Sequence, residues 1–164
     1  MSLSKPFRVA LLSAAPTVAI DEPKMLEEIE CMGGRMRRIN AYLSTYNEEH
    51  LALREGMQPP WFQMRPIKAR ELNALVADVG DATGAELWAV AQRCLDSVTG
   101  LDGFELRDPD YITDALRSVR VVSDDAMERL ADIVGIEGVR DLGRAVLKRA
   151  QPATRLAPFA LSRG

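Results

Sequence analysis

A spacing constrains this chain more than any other feature. Apolar or semi-polar residues recur at Met25, Ile29, Met32, Met36, Ile39, Leu43, Tyr46, His50 and Leu53, in steps that alternate between 4 and 3. An average of 3.5 keeps one seam of a helix turned toward a partner helix, whereas a lone amphipathic helix drifts toward 3.6 and a wider stripe. The pattern predicts a long heptad-patterned helix over 23–55. Gly33 and Gly34 lie off the seam, where each costs about 1 kcal/mol relative to alanine, and they mark a bend. Glu27, Glu28 and Glu30 before that pair, and Arg35, Arg37 and Arg38 after it, follow the polarity of a helix dipole. Three seam methionines make this an adaptable packing surface rather than a rigid coiled coil.

The flanking segments read differently. Residues 1–22 set Phe7, Val9, Leu11, Leu12, Val18 and Ile20 among Pro6 and Pro16, which suits an extended arm or an edge strand. Residues 56–150 read as a helical domain with one short strand. Gly56, Pro59 and Pro60 end the long helix, and Trp61, Phe62 and Met64 suit a pleated surface around 60–66, which the prolines confine to an edge or keep short.

A run of short helices follows. The first covers 67–79. The next opens on a capping box, Thr83 with Glu86, carries Leu87, Ala91, Cys94, Leu95 and Val98, and closes at Gly100 and Gly103. Asp108 and Pro109 start a helix with Ile112, Ala115, Leu116 and Val119 inward. Ser123 caps another that carries Leu130, Ile133 and Val134, and Gly138 precedes a last one with Val139, Leu142, Val146 and Leu147. Residues 151–164 hold no acid and two prolines, and read as a flexible arm anchored by Leu156, Phe159 and Leu161. The expected fold is mainly α: a long N-terminal helix, a short β element around 60–66 and a compact C-terminal helical bundle with extended terminal arms.

Composition narrows the chemistry. With 47% hydrophobic and 27% charged residues in 164, the chain fits a folded domain rather than a disordered one. Nothing reaches the roughly 18 apolar residues of a spanning helix. A net charge of -3 argues against a general nucleic-acid binder. Cys31 and Cys94 lack the companions of a disulfide framework or a zinc site and read as buried thiols. The one histidine, His50, lies on the seam, where a polar residue sets register or meets solvent more often than it serves as a base. Asp108, Asp110, Asp124 and Asp125 fall at predicted helix starts, where the dipole favours them. Gly33-Gly34-Arg35 lacks the Gly-Lys-Ser/Thr ending of a phosphate loop. No catalytic residue, metal, cofactor, small-molecule ligand or membrane is expected.

One basic pattern supplies an alternative. Residues 123–150 read as a helix-turn-helix-like pair, with Arg140, Arg144 and Lys148 along one face at i, i+4 and i+8, as in a small DNA-binding regulator. Asp132, Glu137 and Asp141 stand close by and would repel phosphates, so a solvated face is favoured and nucleic acid is not the expected partner.

Between Leu53 and Leu72 the chain carries Pro59, Phe62, Arg65, Pro66 and Ile67 in the form Pro-x-x-Phe-x-x-Arg-Pro-Ile, ahead of a helix beginning near Glu71. This string resembles small structural or tail-assembly proteins of tailed bacteriophages. The resemblance implies a non-enzymatic virion or tail-assembly component, found in host cytoplasm or virion. Its partners would be protein subunits, either copies of itself or other phage structural proteins. The expected protein interface combines the seam residues Met25, Ile29, Met32, Met36, Ile39 and Leu43 with Trp61, Phe62 and Arg65, and with the tail anchors Leu156, Phe159 and Leu161.

Overall fold

Alternation of side chains places the central sheet. Phe7, Val9 and Leu11 alternate with Arg8 and Ala10, and Phe62 and Met64 alternate with Trp61 and Gln63, so each segment presents two faces. The computed structural model describes residues 5–11, 45–47, 59–114 and 119–163. Strand β1 (Phe7–Leu11) lies between β2 (Thr45–Asn47) and β3 (Trp61–Met64), and β3 also pairs with β4 (Leu95–Thr99), every pair antiparallel. Phe7 stands opposite Met64 and Val9 opposite Phe62, which lines up the apolar members on one face. Val9, Leu11, Phe62, Met64 and Leu95 are all fully buried there.

Helices cover that face. Helix α1 (Ala69–Leu75) buries Leu72, and α2 (Gly84–Cys94) buries Leu87, Val90, Ala91 and Cys94. Helix α2 begins at the capping box that the spacing of Thr83 and Glu86 predicts: the Thr83 hydroxyl accepts from the Glu86 amide, and the Glu86 carboxylate accepts from the Thr83 amide. These amide bonds, with one from Ala77, hold the Glu86 carboxyl below its usual range. A hairpin of β5 (Tyr111–Asp114) and β6 (Val119–Val122) leads into α3 (Asp124–Arg163), whose Ser123 hydroxyl accepts from the Ala126 amide. Met127, Leu130, Val139, Leu142 and Val146 of α3 join the same core.

The expectation of a mainly α fold is overturned: three helices stand beside two antiparallel sheets among the described residues. Among the described residues the predicted helix over 23–55 is interrupted, because Thr45–Asn47, inside it and including the seam residue Tyr46, is strand β2 on the edge of β1. Thr and Tyr favour extended backbone, and β1 supplies the ladder that a lone heptad seam lacks. The rest of the seam, with Met25, Ile29, Met32, Met36, Ile39 and Leu43, lies outside the described residues. Other elements shift as well. The N-terminal segment gives an interior strand rather than an arm or edge, and β3 is likewise flanked on both sides. The helix expected from Asp108 is a single 3-10 turn (Asp108–Asp110) followed by the hairpin, and Val98 belongs to β4 rather than to α2. The backbone of 151–163 is helical, where an extended arm was expected.

Within α3 the helix breaks at Gly135, not at Gly138. Gly135 has φ 83 and ψ 159, a region essentially restricted to glycine, while Gly138 is helical and buried beside Val134 and Leu11. The break divides α3 into arms 124–134 and 136–163. A Cβ at Gly135 would meet open space, so the requirement lies in the backbone alone. Gly135→Ala is expected to lower stability by about 1–3 kcal/mol, read from the urea midpoint. An unchanged midpoint would show that the break is not needed.

Candidate interaction surfaces

The Gly135 break leaves an apolar corner. Ile133 just before it is 43% exposed and Ile136 just after it 55%, whereas Val134 between them and Val139 beyond are buried. The two arms are anchored inward by Leu130, Val134 and Val139, so the isoleucines stand on a fixed support. Asp132 and Glu137 flank them in sequence and are exposed. Adjoining exposed apolar side chains rimmed by polar ones are a mark of contact surfaces, whereas single ones are not. Among the described residues a third large apolar side chain, Ile112 on β5, is 52% exposed.

Of the predicted interface residues, Trp61, Phe62 and Arg65 are placed elsewhere. Trp61 is 6% exposed and Phe62 fully buried, on opposite faces of β3, with the Arg8 guanidinium 4.4 Å from the centre of the Trp61 ring. Both are packed within the chain. Arg65 is half-buried: its Nε donates to Asp96 at 3.1 Å, and the same guanidinium donates to the Arg120 carbonyl. Leu156, Phe159 and Leu161 lie on the helical backbone of 151–163, and their side chains are outside the described residues.

Around Arg65 a polar network joins the hairpin to the sheet. Met64 faces Leu95 while Gln63 faces Ser97, so Asp96 is an extra, bulged residue of β4. Its carboxylate holds Arg65, and its carbonyl accepts from the Tyr111 hydroxyl. Arg120 stacks 4.0 Å from the centre of the Tyr111 ring and pairs with Asp108 at 2.7 Å. None of the hydrogen-bonded links was visible as a spacing, because their partners are 12 to 55 residues apart.

The basic stripe is occupied by acids. Arg140 pairs with Glu137 at 2.6 Å, and Arg144 pairs with both Glu137 and Asp141. The arginines in turn hold the Glu137 carboxyl below its usual range. The end of the Arg140 side chain also lies over the start of α2, where a Cβ on Gly84 would come within 2.6 Å of its Cζ. A phosphate backbone would have to compete with these carboxylates.

Two surface hollows are mixed in charge. One of about 610 Å³ lies between Phe104, Arg107, Pro109 and Arg129, and its arginines are paired with Glu105, Asp110 and Asp125. The other, about 290 Å³, is bounded by Gly80, Asp81, Leu87, Arg144 and Lys148. Burial pushes the Cys94 thiol up to about 12, far from a reactive thiolate. Among the described residues, no group of three or more His, Cys, Asp or Glu could hold a metal, and no helix is long and apolar enough to cross a membrane. No protein-family model, curated protein or solved structure matches the chain.

Proposed function

We propose that this chain is a non-enzymatic structural or assembly protein of bacteriophage type, a virion or tail-assembly component of the host cytoplasm or virion, which acts by contact with other protein subunits. The observation that carries the reading is the corner at Gly135, where Ile133 and Ile136 are presented to solvent by a backbone that only glycine adopts readily. The resemblance over Pro59 to Glu71 supports it from the sequence side. In the fold this string supplies a support rather than a contact: Phe62 and Ile67 are buried, Arg65 ties β4 to β6, and Glu71 pairs with Arg93 of α2.

The test is capture of partners from the native source by the full chain, compared with a double Ile133→Asp, Ile136→Asp variant. Substitutions at exposed positions usually change stability by no more than about 0.5 kcal/mol, so the variant should stay folded. Capture of virion or tail subunits is expected to fall at least about tenfold, a loss of about 1.4 kcal/mol. Equal capture by both chains, or recovery of no structural subunit by the unaltered chain, would refute the reading.

A further inference from the structure

Helix α3 carries opposite charge along its length. Its first arm holds Asp124, Asp125, Glu128 and Asp132, all exposed, with Arg129 as the one base. From Leu142 to Gly164 the chain has no acid and carries Arg144, Lys148, Arg149, Arg155 and Arg163. Part of the acidic charge is answered within the fold: Arg129 pairs with Asp110 and Asp125, and Gln92 donates to Asp124. Glu128 and Asp132 are different. They stand one helical turn apart, where like charges repel, and neither has a cation or a hydrogen-bond donor among the described residues. Asp132 also falls in the last turn of the first arm, the end at which a helix dipole favours a cation. It adjoins Ile133, so the Gly135 corner sets an exposed apolar side chain beside an unanswered carboxylate.

The 151–164 segment has the complementary chemistry. Leu156, Phe159 and Arg163 stand at i, i+3 and i+7 along its helical backbone, a spacing that sets two apolar residues and a cation on one stripe, with Arg155 next to Leu156. The corner of the same chain is out of its reach. The second arm is helical from Ile136 onward, so its rise puts Gln151 about 22 Å from Ile136, and the segment runs further away. A second copy has no such restraint.

We propose that the 151–164 segment of a second copy occupies the Gly135 corner, a pairing that rests on the contact reading of that corner and names its occupant. Leu156 and Phe159 lie on Ile133 and Ile136, and Arg155 and Arg163 face Glu128 and Asp132. Removal of the apolar surfaces from water supplies the attraction, while the charges orient the segment and reject an acidic one. The giving and receiving surfaces are different parts of α3, so each copy gives its segment to one neighbour and receives that of another. Such head-to-tail contacts close into a ring or continue as a filament.

Charge reversal tests the pairing, because its two halves can be placed on different chains. Light scattering of the full chain at low salt is expected to show a mass that rises past that of a dimer as concentration approaches about 1 mM, and that falls when salt is added. Arg155→Glu with Arg163→Glu, and separately Glu128→Lys with Asp132→Lys, should each weaken association at least about tenfold. Glu128 and Asp132 are exposed, so their replacement should leave the fold intact. Mixing the two variants should restore association, since the reversed segment of one meets the reversed corner of the other; that recovery also shows both chains folded. An unaltered chain monomeric over the range, association that survives either reversal, or a mixture no more associated than its parts would overturn the proposal. If the unaltered chain is monomeric yet captures another structural subunit through Ile133 and Ile136, the contact reading stands and only this occupant fails. Failure of the contact reading itself shows instead as equal capture by the Ile133→Asp, Ile136→Asp chain.

Discussion

Gly143→Ala is expected to destabilise the fold by about 3 kcal/mol, at the upper end of what one added methyl usually costs in a packed core. Gly143 lies where the second arm of α3 crosses α2. A Cβ there would sit 2.8 Å from the Leu87 carbonyl carbon and 3.0 Å from its Cα. Both are backbone atoms within a helix, so no rotamer change relieves the clash and the helices must separate. Separation would loosen the packing of Leu87, Val90, Ala91, Leu142 and Val146, all buried in the shared core. Alanine's higher helix propensity returns about 1 kcal/mol, which the clash outweighs. Gly84→Ala is the control: its Cβ meets the end of the Arg140 side chain, which can swing aside. Urea denaturation of the two variants should show a much lower midpoint for Gly143→Ala and a small change for Gly84→Ala. Equal midpoints would mean that the crossing is not the tight contact described.

Features closed over a few residues were readable in the sequence. The Thr83–Glu86 box and the Ser123 cap need only side chains and amides three residues apart, and both form. The bulk of Trp61 to Met64 likewise marked β3. What failed was choosing between periods. Ile112, Ala115, Leu116 and Val119 fit a helical stripe, yet Tyr111–Asp114 and Val119–Val122 are strands. The β-branched content of Ile112, Thr113, Val119, Val121 and Val122 was the competing signal. The seam through Tyr46 failed for a related reason, since β2 exists only because β1 lies beside it, and β1 begins far earlier in the chain.

The contact surfaces were less legible than the fold. Ile133 and Val134 both follow Leu130 at helical spacing, and the sequence offered no ground for sending one inward and the other out. The phase of the first arm decides it, with Ala126, Met127, Leu130 and Val134 on its buried side, and a glycine within an apolar helix pattern could have been read as a break as readily as Gly138 was. Trp61 was weighed as a contact residue because of its size, whereas size here serves packing on the second face of β3. Arg140 looked like a phosphate ligand on a helical wheel, but its guanidinium is held by Glu137 and lies over Gly84. Spacing along one helix cannot show what the neighbouring helix brings to it.

Glu71→Ala is expected to cost about 3–5 kcal/mol, the range for removing one partner of a buried ion pair. Glu71 of α1 and Arg93 of α2 pair with side chains only 14% and 12% exposed, so solvent screens them little. The Arg93 Nε is buried with no hydrogen-bond partner, so Glu71 is the principal compensation for this guanidinium. Removing the carboxylate leaves a largely buried charge without its ion-pair partner. The effect comes from the stranded cation rather than from strong net attraction, because desolvation offsets much of the Coulombic gain when such a pair forms. A double Glu71→Leu, Arg93→Met variant should therefore recover most of the loss, since it removes both charges and keeps the volume. Chemical denaturation of the single and double variants separates the two accounts. If the double variant is as unstable as Glu71→Ala, packing rather than the uncompensated charge sets the cost. If Glu71→Ala loses less than about 1 kcal/mol, the pair behaves as an exposed one and its burial carries no weight.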